Sequence, residues 1–227
     1  MSSPEAAPAV QPAAVEDDAE TRRLHRVELL ATILLAVAAV ATAWSTFQST
    51  RWRGEQAIDF SKANAARIHS SEAETRAGQL TQIDIALFSQ WVNAEVGGKR
   101  QLAQFYRRRF RPEFRPAFAA WVATKPRTNP NAPLTPFAMP QYRVSKDLLS
   151  KRLNAVAQAH SGAAGVANQR SDNYVLAVVL LATSLFFAGI STKVRPLRQR
   201  EALLGLGWII FVGTVVWLAA SPVSFSL

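Results

Sequence analysis

"LLATILLAVAAVATAWSTFQSTRWRGEQA", residues 29–57, begins with 22 residues that carry no charge (29–50) and then places Arg51, Arg53 and Glu55 within five positions. A helix rises about 1.5 Å per residue, so some 20 such residues cross a hydrocarbon core of roughly 30 Å. Trp44 and Trp52 lie about 12 Å apart on a helix and bracket the point where apolar sequence gives way to polar. Indoles favour the headgroup layer and arginines reach from it towards phosphates. Trp44, Arg51, Trp52 and Arg53 are therefore expected to anchor the end of a membrane helix. Gln48, Trp52, Glu55, Asp59 and Lys62 recur at helical spacing, which predicts that the helix continues past the membrane as a stalk.

Two further stretches match the first. The 20 residues between Asp172 and Lys193 are uncharged, and so are the 26 residues after Glu201. Three such runs in one chain predict transmembrane helices near 28–48, 174–192 and 203–221. The fold class is then all-α: an integral membrane protein with three transmembrane helices and an extramembrane domain of helical-hairpin type. The chain divides into a tail (1–20), the first membrane segment (21–50), the extramembrane domain (51–172), the second membrane segment (173–192), a short basic loop (193–202) and the third membrane segment with the C-terminus (203–227). The tail is rich in Ala, Pro and acids and has too little apolar mass to fold alone, so it is expected to be disordered.

A cleaved leader is the competing reading of the first run, with "TRRLHR" as its basic region and Ala41 and Ala43 around the cut. The run is longer than a leader's apolar region, about 26 residues precede it, and the helical pattern continues through the cut. The segment is therefore read as retained.

Orientation follows from short-loop charge. Lys193, Arg195, Arg198 and Arg200 precede the third apolar run and no cation follows it. The positive-inside tendency places that loop in the cytoplasm, residues 51–172 outside and the N-terminus inside, in agreement with Arg22, Arg23 and Arg26. The extramembrane segment has 19 Lys and Arg against 9 acids, and the chain has no cysteine, so packing alone must hold an exported domain together.

Within that domain Ile58, Ala65, Ile68, Leu80, Ile83, Leu87 and Trp91 form a rough helical stripe, weak across the polar "HSSEAETRAG" of 69–78, and Gly97-Gly98 ends the arm. "KRQLAQFYRRRF" predicts a short helix that stops before Pro112, and "RPEFRPAFAAWVAT" predicts another. Residues 125–142, with "KPRTNPNAPLTPFAMPQY", read as a proline-rich strap wrapped over the helices. From Tyr142 the helical pattern resumes and runs into the second membrane segment through Gly162 and Gly165.

The motifs W-S-T-F-Q-S-T-R-W-R-G-E-Q-A (44–57) and R-F-R-P-E-F-R-P-A-F (109–118), with "NPNAPLTPFAMPQY" and "SDNYVLAVVLLATSLFFAGIS", resemble a group of uncharacterised bacterial three-transmembrane-helix membrane proteins. The resemblance covers most of residues 43–192. It implies a bacterial inner membrane and three spans, and it carries no activity.

Sites of chemistry are sparse. His25, His69 and His160 have no second histidine or cysteine at ligand spacing and read as surface residues, so no metal or cofactor is implied. No nucleotide-loop, nucleophile-elbow or zinc-protease motif occurs, and no catalytic residue stands out. The membrane runs hold no ionisable interior group, which argues against a coupled transporter. A passive pore lined by Ser45, Thr46 and Gln48, or by Thr183 and Ser184, is the alternative reading. Ala39 and Ala43 offer small-residue spacing for helix packing or homo-oligomerisation.

The strongest charge feature is Arg107, Arg108, Arg109, Arg111 and Arg115, interleaved with Phe105, Tyr106, Phe110 and Phe114. Guanidinium forks suit phosphate and carboxylate. Outside the cytoplasm nucleic acid is not the expected target, and anionic headgroups or an acidic partner protein fit better. The competing reading is a solvated arginine face. The chain is therefore read as a membrane protein without enzymatic activity. It is expected to work as a scaffold, sensor or accessory subunit, with the lipid bilayer and an anionic partner as its contacts and a homo-oligomeric pore as the alternative.

Overall fold

A computed structural model describes the backbone of residues 12–224 and the side chains of residues 21–224. These residues form helices α1 (Pro12–Val96), α2 (Arg100–Arg109), α3 (Arg115–Ala123), α4 (Ser145–Ser191) and α5 (Leu197–Ala219), with one 3-10 turn at Pro136–Ala138 and no strand among them. Three of them, α1, α4 and α5, are long and apolar enough to cross a membrane. Part of the tail expected over 1–20 lies outside the described residues, and from Pro12 the backbone is already helical. Its Ala- and Glu-rich sequence extends an existing helix, which costs far less than nucleating one. Helix α1 is continuous from Trp44 through Lys62, as its spacing predicts, and α4 runs unbroken through Gly162 and Gly165. Gly98, at φ +67°, supplies the left-handed turn after α1.

The chain forms two compact units, one from the residues up to Gln56 and from Gly165 onward, the other from Ala57–Ala164. In the first, Val27, Ala31, Leu34 and Ala38 of α1 pack with Leu181 and Ala188 of α4 and with Leu204 and Phe211 of α5. Gly207 marks a close approach of α5 to α1 and α4. A Cβ there would meet Leu34 Cδ2 and the Ser184 carbonyl at 3.3 Å each, and the Ser184 hydroxyl donates to the Gly207 carbonyl at 2.8 Å. The outward faces carry Leu29, Ile33, Val37, Val179, Ile209 and Val216, an apolar surface suited to lipid. Ala39 and Ala43 lie on that outward side, so neither serves packing within the unit.

The end of α5 is tied down at the same level as Gln48. The buried Gln48 amide accepts from the Ser224 N–H at 3.1 Å and donates to its carbonyl at 3.5 Å. The Tyr174 hydroxyl donates to the Pro222 carbonyl at 3.1 Å.

In the second unit the seam differs from the expected stripe. Along residues 57–77 of α1 the buried positions are Ala63, Ala66, Ser70, Ala73 and Ala77, spaced alternately three and four apart, and they face Ser150, Ala157 and Ala164 of α4 at seven-residue spacing. That is the period of a coiled-coil seam, here built from small side chains that let two backbones come close. The pairing is antiparallel: Ser70 Oγ donates to the Ser150 carbonyl at 2.9 Å, and Asp59 meets His160 at 2.9 Å, so partner numbers fall as α1 rises. Ile58, Ile68 and Ile83 are exposed, while Leu80, Leu87 and Trp91 turn inward. The polar stretch 69–78 contributes Ser70, Ala73 and Ala77 to the seam, which explains why it reads as weak yet stays helical.

Beyond the hairpin, α2, α3 and the strap close over the last turns of α1. Phe88, Phe110, Phe114, Phe118 and Trp121 form an aromatic core with Phe137 of the strap packed against it. The Trp121 indole N–H donates to the Pro133 carbonyl at 2.7 Å. The Asn131 N–H donates to Asn129 Oδ1 at 3.0 Å, the side-chain turn typical of asparagine. The strap is therefore an ordered connection held by its own aromatic and turn residues.

Candidate functional site

The five arginines of 107–115 do not form one surface. Each is placed by the break between α2 and α3, where Pro112 stops the first helix and Pro116 occupies the first turn of the second.

Arg111 turns inward. Its Nη1 donates to Asp84 Oδ2 at 2.9 Å, and its Nη2 is paired with Glu113. The Asp84 side chain is 0% exposed and that of Arg111 18%. The Tyr142 hydroxyl sits 3.2 Å from Asp84 Oδ2 and 3.2 Å from Thr81 Oγ1, and the Ser145 hydroxyl donates to Glu113. This network joins α1, the α2–α3 break and the start of α4, and it acts as a clamp on the cap. Burial pushes the Asp84 carboxyl above the usual carboxylate range, against the downward pull of Arg111 and of the Tyr142 hydroxyl. The Ser145 hydroxyl, then Arg111, holds the Glu113 carboxyl below its usual range. Burial also raises the Tyr142 hydroxyl. Asp84 Oδ1 is buried with no hydrogen-bond partner, a cost the Arg111 pairing offsets in part.

Arg115 closes the end of α2. Its Nε donates to the Phe110 carbonyl at 2.8 Å and its Nη2 to the Arg108 carbonyl at 3.1 Å, which satisfies carbonyls that a helix end leaves without partners. Arg109 lies on the Phe105 ring at 3.4 Å. Arg107 sits over Phe118 at 5.9 Å. Arg107, Arg108 and Arg115 then line one groove of about 530 Å³ with Gln104, Phe110, Phe118 and Ala119. Among the described residues no carboxylate pairs with Arg107, Arg108 or Arg109.

The expected membrane anchors also divide. Trp44 is 46% exposed and faces outward, where an anchor belongs. Trp52 is buried against Ala167 and Tyr174, with the Arg170 guanidinium 4.5 Å above its ring. It is a packing residue, because its position on α1 faces α4. Arg51 is half-buried, and Arg53 is exposed with its Nε 3.4 Å from Ser171 Oγ.

His69 is exposed beside Glu72, as a surface histidine should be. His160 keeps 34% of its side chain exposed and is hydrogen-bonded to Asp59 across the hairpin. Among the described residues no three His, Asp or Glu side chains converge.

The hydroxyls considered for a pore make hydrogen bonds within the first unit, Ser45 from a buried position, Thr46 from an exposed one and Thr183 from a half-buried one. Ser45 Oγ donates to the Ala41 carbonyl at 2.8 Å, Thr46 Oγ1 to the Thr42 carbonyl at 2.9 Å, and Thr183 Oγ1 to the Val179 carbonyl at 2.9 Å. Ser49 meets Ser171 at 3.0 Å. Gln48 and Ser184 hold the neighbouring chain as described above.

The spacing of the sequence revealed the arginine cluster but not Asp84, Glu113, Tyr142 and Ser145, which gather from segments far apart in the chain. The one available signal was Asp84, a lone acid on the inward face of an otherwise Ala-rich arm. No protein-family model matches this chain, and no curated protein or solved structure matches it either.

Proposed function

We propose that this chain is an integral protein of a bacterial inner membrane that acts by interaction, as a scaffold, sensor or accessory subunit, through an exported helical domain. The observation that carries the reading is the set of Arg107, Arg108 and Arg109. They sit exposed on a cap held by the Asp84–Arg111–Glu113 clamp and have no carboxylate of their own among the described residues. An unbalanced basic surface on a rigid support suits an anionic partner. Ser45, Gln48 and Ser184 are buried and used inside the unit, which favours the interaction reading over a pore lined by them, whereas Thr46 stays exposed and Thr183 half-buried.

The triple variant Arg107→Gln/Arg108→Gln/Arg109→Gln tests the reading. It should fold and insert as the parent does but lose partners in a crosslinked pull-down at low salt. The parent's own recovery should fade as salt rises, since surface charges are screened over roughly 8–10 Å. Equal recovery by both proteins at every salt concentration would leave only a solvated arginine face.

Orientation is part of the same proposal and rests on the basic loop 193–202. Reporter fusions at residue 130 should behave as exported, and fusions at residue 196 as cytoplasmic. A cytoplasmic signal at 130 would invert the topology.

A further inference from the structure

We infer that the groove between α2 and α3 binds a phosphate group, free or esterified, through Arg107, Arg108 and Arg115; this rests on the interaction reading above and names its ligand chemistry.

The argument starts from how the local arginines are spent. Arg111 is neutralised by Asp84 and Glu113. Arg115 covers the last carbonyls of α2 with two hydrogen bonds, so the helix end already has the cation that its dipole favours. Arg107 and Arg108 are surplus to both tasks. They stand beside Arg115 on one groove, and every residue that lines it is cationic, neutral polar or apolar. Holding three guanidiniums together without a counter-charge is unfavourable, and an anion from outside relieves it.

The type of anion follows from donor geometry. A guanidinium presents a planar fork that saturates a carboxylate's two coplanar oxygens by itself. Three guanidiniums exceed what one carboxylate accepts. A phosphate monoester offers three terminal oxygens in different directions and up to two negative charges. Arg115 is pre-set by its backbone bonds and Arg107 rests against Phe118, so little order has to be gained on binding. The buried Phe110 and Phe118 give the groove an apolar floor for the carbon part of an ester.

The test is isothermal titration of the detergent-solubilised full chain with inorganic phosphate, with glycerol 3-phosphate and with a tetraglutamate peptide. The parent should bind both phosphates, more weakly as salt rises. Arg107→Gln and Arg108→Gln should each lower that affinity about tenfold, in keeping with the loss of one charge-assisted hydrogen bond. Arg152→Gln should leave it unchanged, because Arg152 is an exposed arginine of α4 that does not line the groove. Repeating the titration with water-soluble dihexanoyl phosphatidic acid separates the sources. Tighter binding than glycerol 3-phosphate means that the groove takes a lipid headgroup, and equal or weaker binding means a soluble phosphate; either supports the assignment. No phosphate binding by the parent, or an Arg152→Gln loss as large as the other two, would overturn it. If tetraglutamate binds and phosphate does not, the phosphate assignment falls while the anionic-partner reading stands.

Discussion

Arg111→Ala is expected to destabilise the cap by about 3–5 kcal/mol, the cost of removing one partner from a buried ion pair. Without the guanidinium, the fully buried Asp84 carboxylate keeps only the Tyr142 hydroxyl, and Glu113 keeps only Ser145. Burial already raises the Asp84 carboxyl, so losing Arg111 drives it further towards the protonated form. Asp84→Asn should cost less, because the amide retains the Tyr142 contact and Arg111 retains Glu113. Removing both charges with Asp84→Asn/Arg111→Met should recover much of the Arg111→Ala loss, since no lone buried charge remains. Amide hydrogen exchange over residues 100–142 reads the effect where it arises, since exchange reports stability segment by segment. Protection within about 0.5 kcal/mol of the parent in Arg111→Ala would mean that the clamp carries no weight.

A loss of similar size, about 3–5 kcal/mol, is expected for Phe114→Ala. The ring is fully buried. It stacks on Phe137 of the strap at 5.1 Å and meets Phe110 edge-on at 5.0 Å, Tyr142 at 5.9 Å and Phe88 at 6.2 Å. One side chain therefore joins α1, the end of α2, the strap and the approach to α4. Truncation removes its transfer energy and leaves a cavity among rigid rings that cannot collapse into it. Phe114→Leu keeps most of the apolar volume and should cost distinctly less. Near-ultraviolet circular dichroism during urea titration would record the early loss of cap packing in Phe114→Ala. A midpoint equal to the parent's would show that the core repacks around the gap.

Three membrane-length helices, the continuity of α1 and α4, the stop at Gly97-Gly98 and the ordered proline strap were all legible in the linear chain. Each depends on local composition or on backbone rules. Some 20 uncharged residues suit only an apolar surrounding, glycine tolerates positive φ, and proline fixes its own. The hairpin seam was not legible, because alanine and serine give almost no hydrophobic contrast. They are selected by how closely two backbones approach, whereas a stripe drawn through the large side chains led to Ile58 and Ile68, which lie outside the seam.

The arginine run shows the same division at a single site. Its charge was plain from residues 107–115, but five equal side chains have four distinct placements. One is buried by an acid 27 positions earlier, one caps a helix, one lies on a ring and two stand free of carboxylates over a groove. Trp52 follows the same logic: residue type suggested a headgroup anchor, and the facing helix turned it inward. Local sequence sets what a segment can be, because solvation and backbone freedom act residue by residue. Which side chains meet depends on the tertiary pairing of α1 with α4 and on the cap, and no spacing along one helix encodes that.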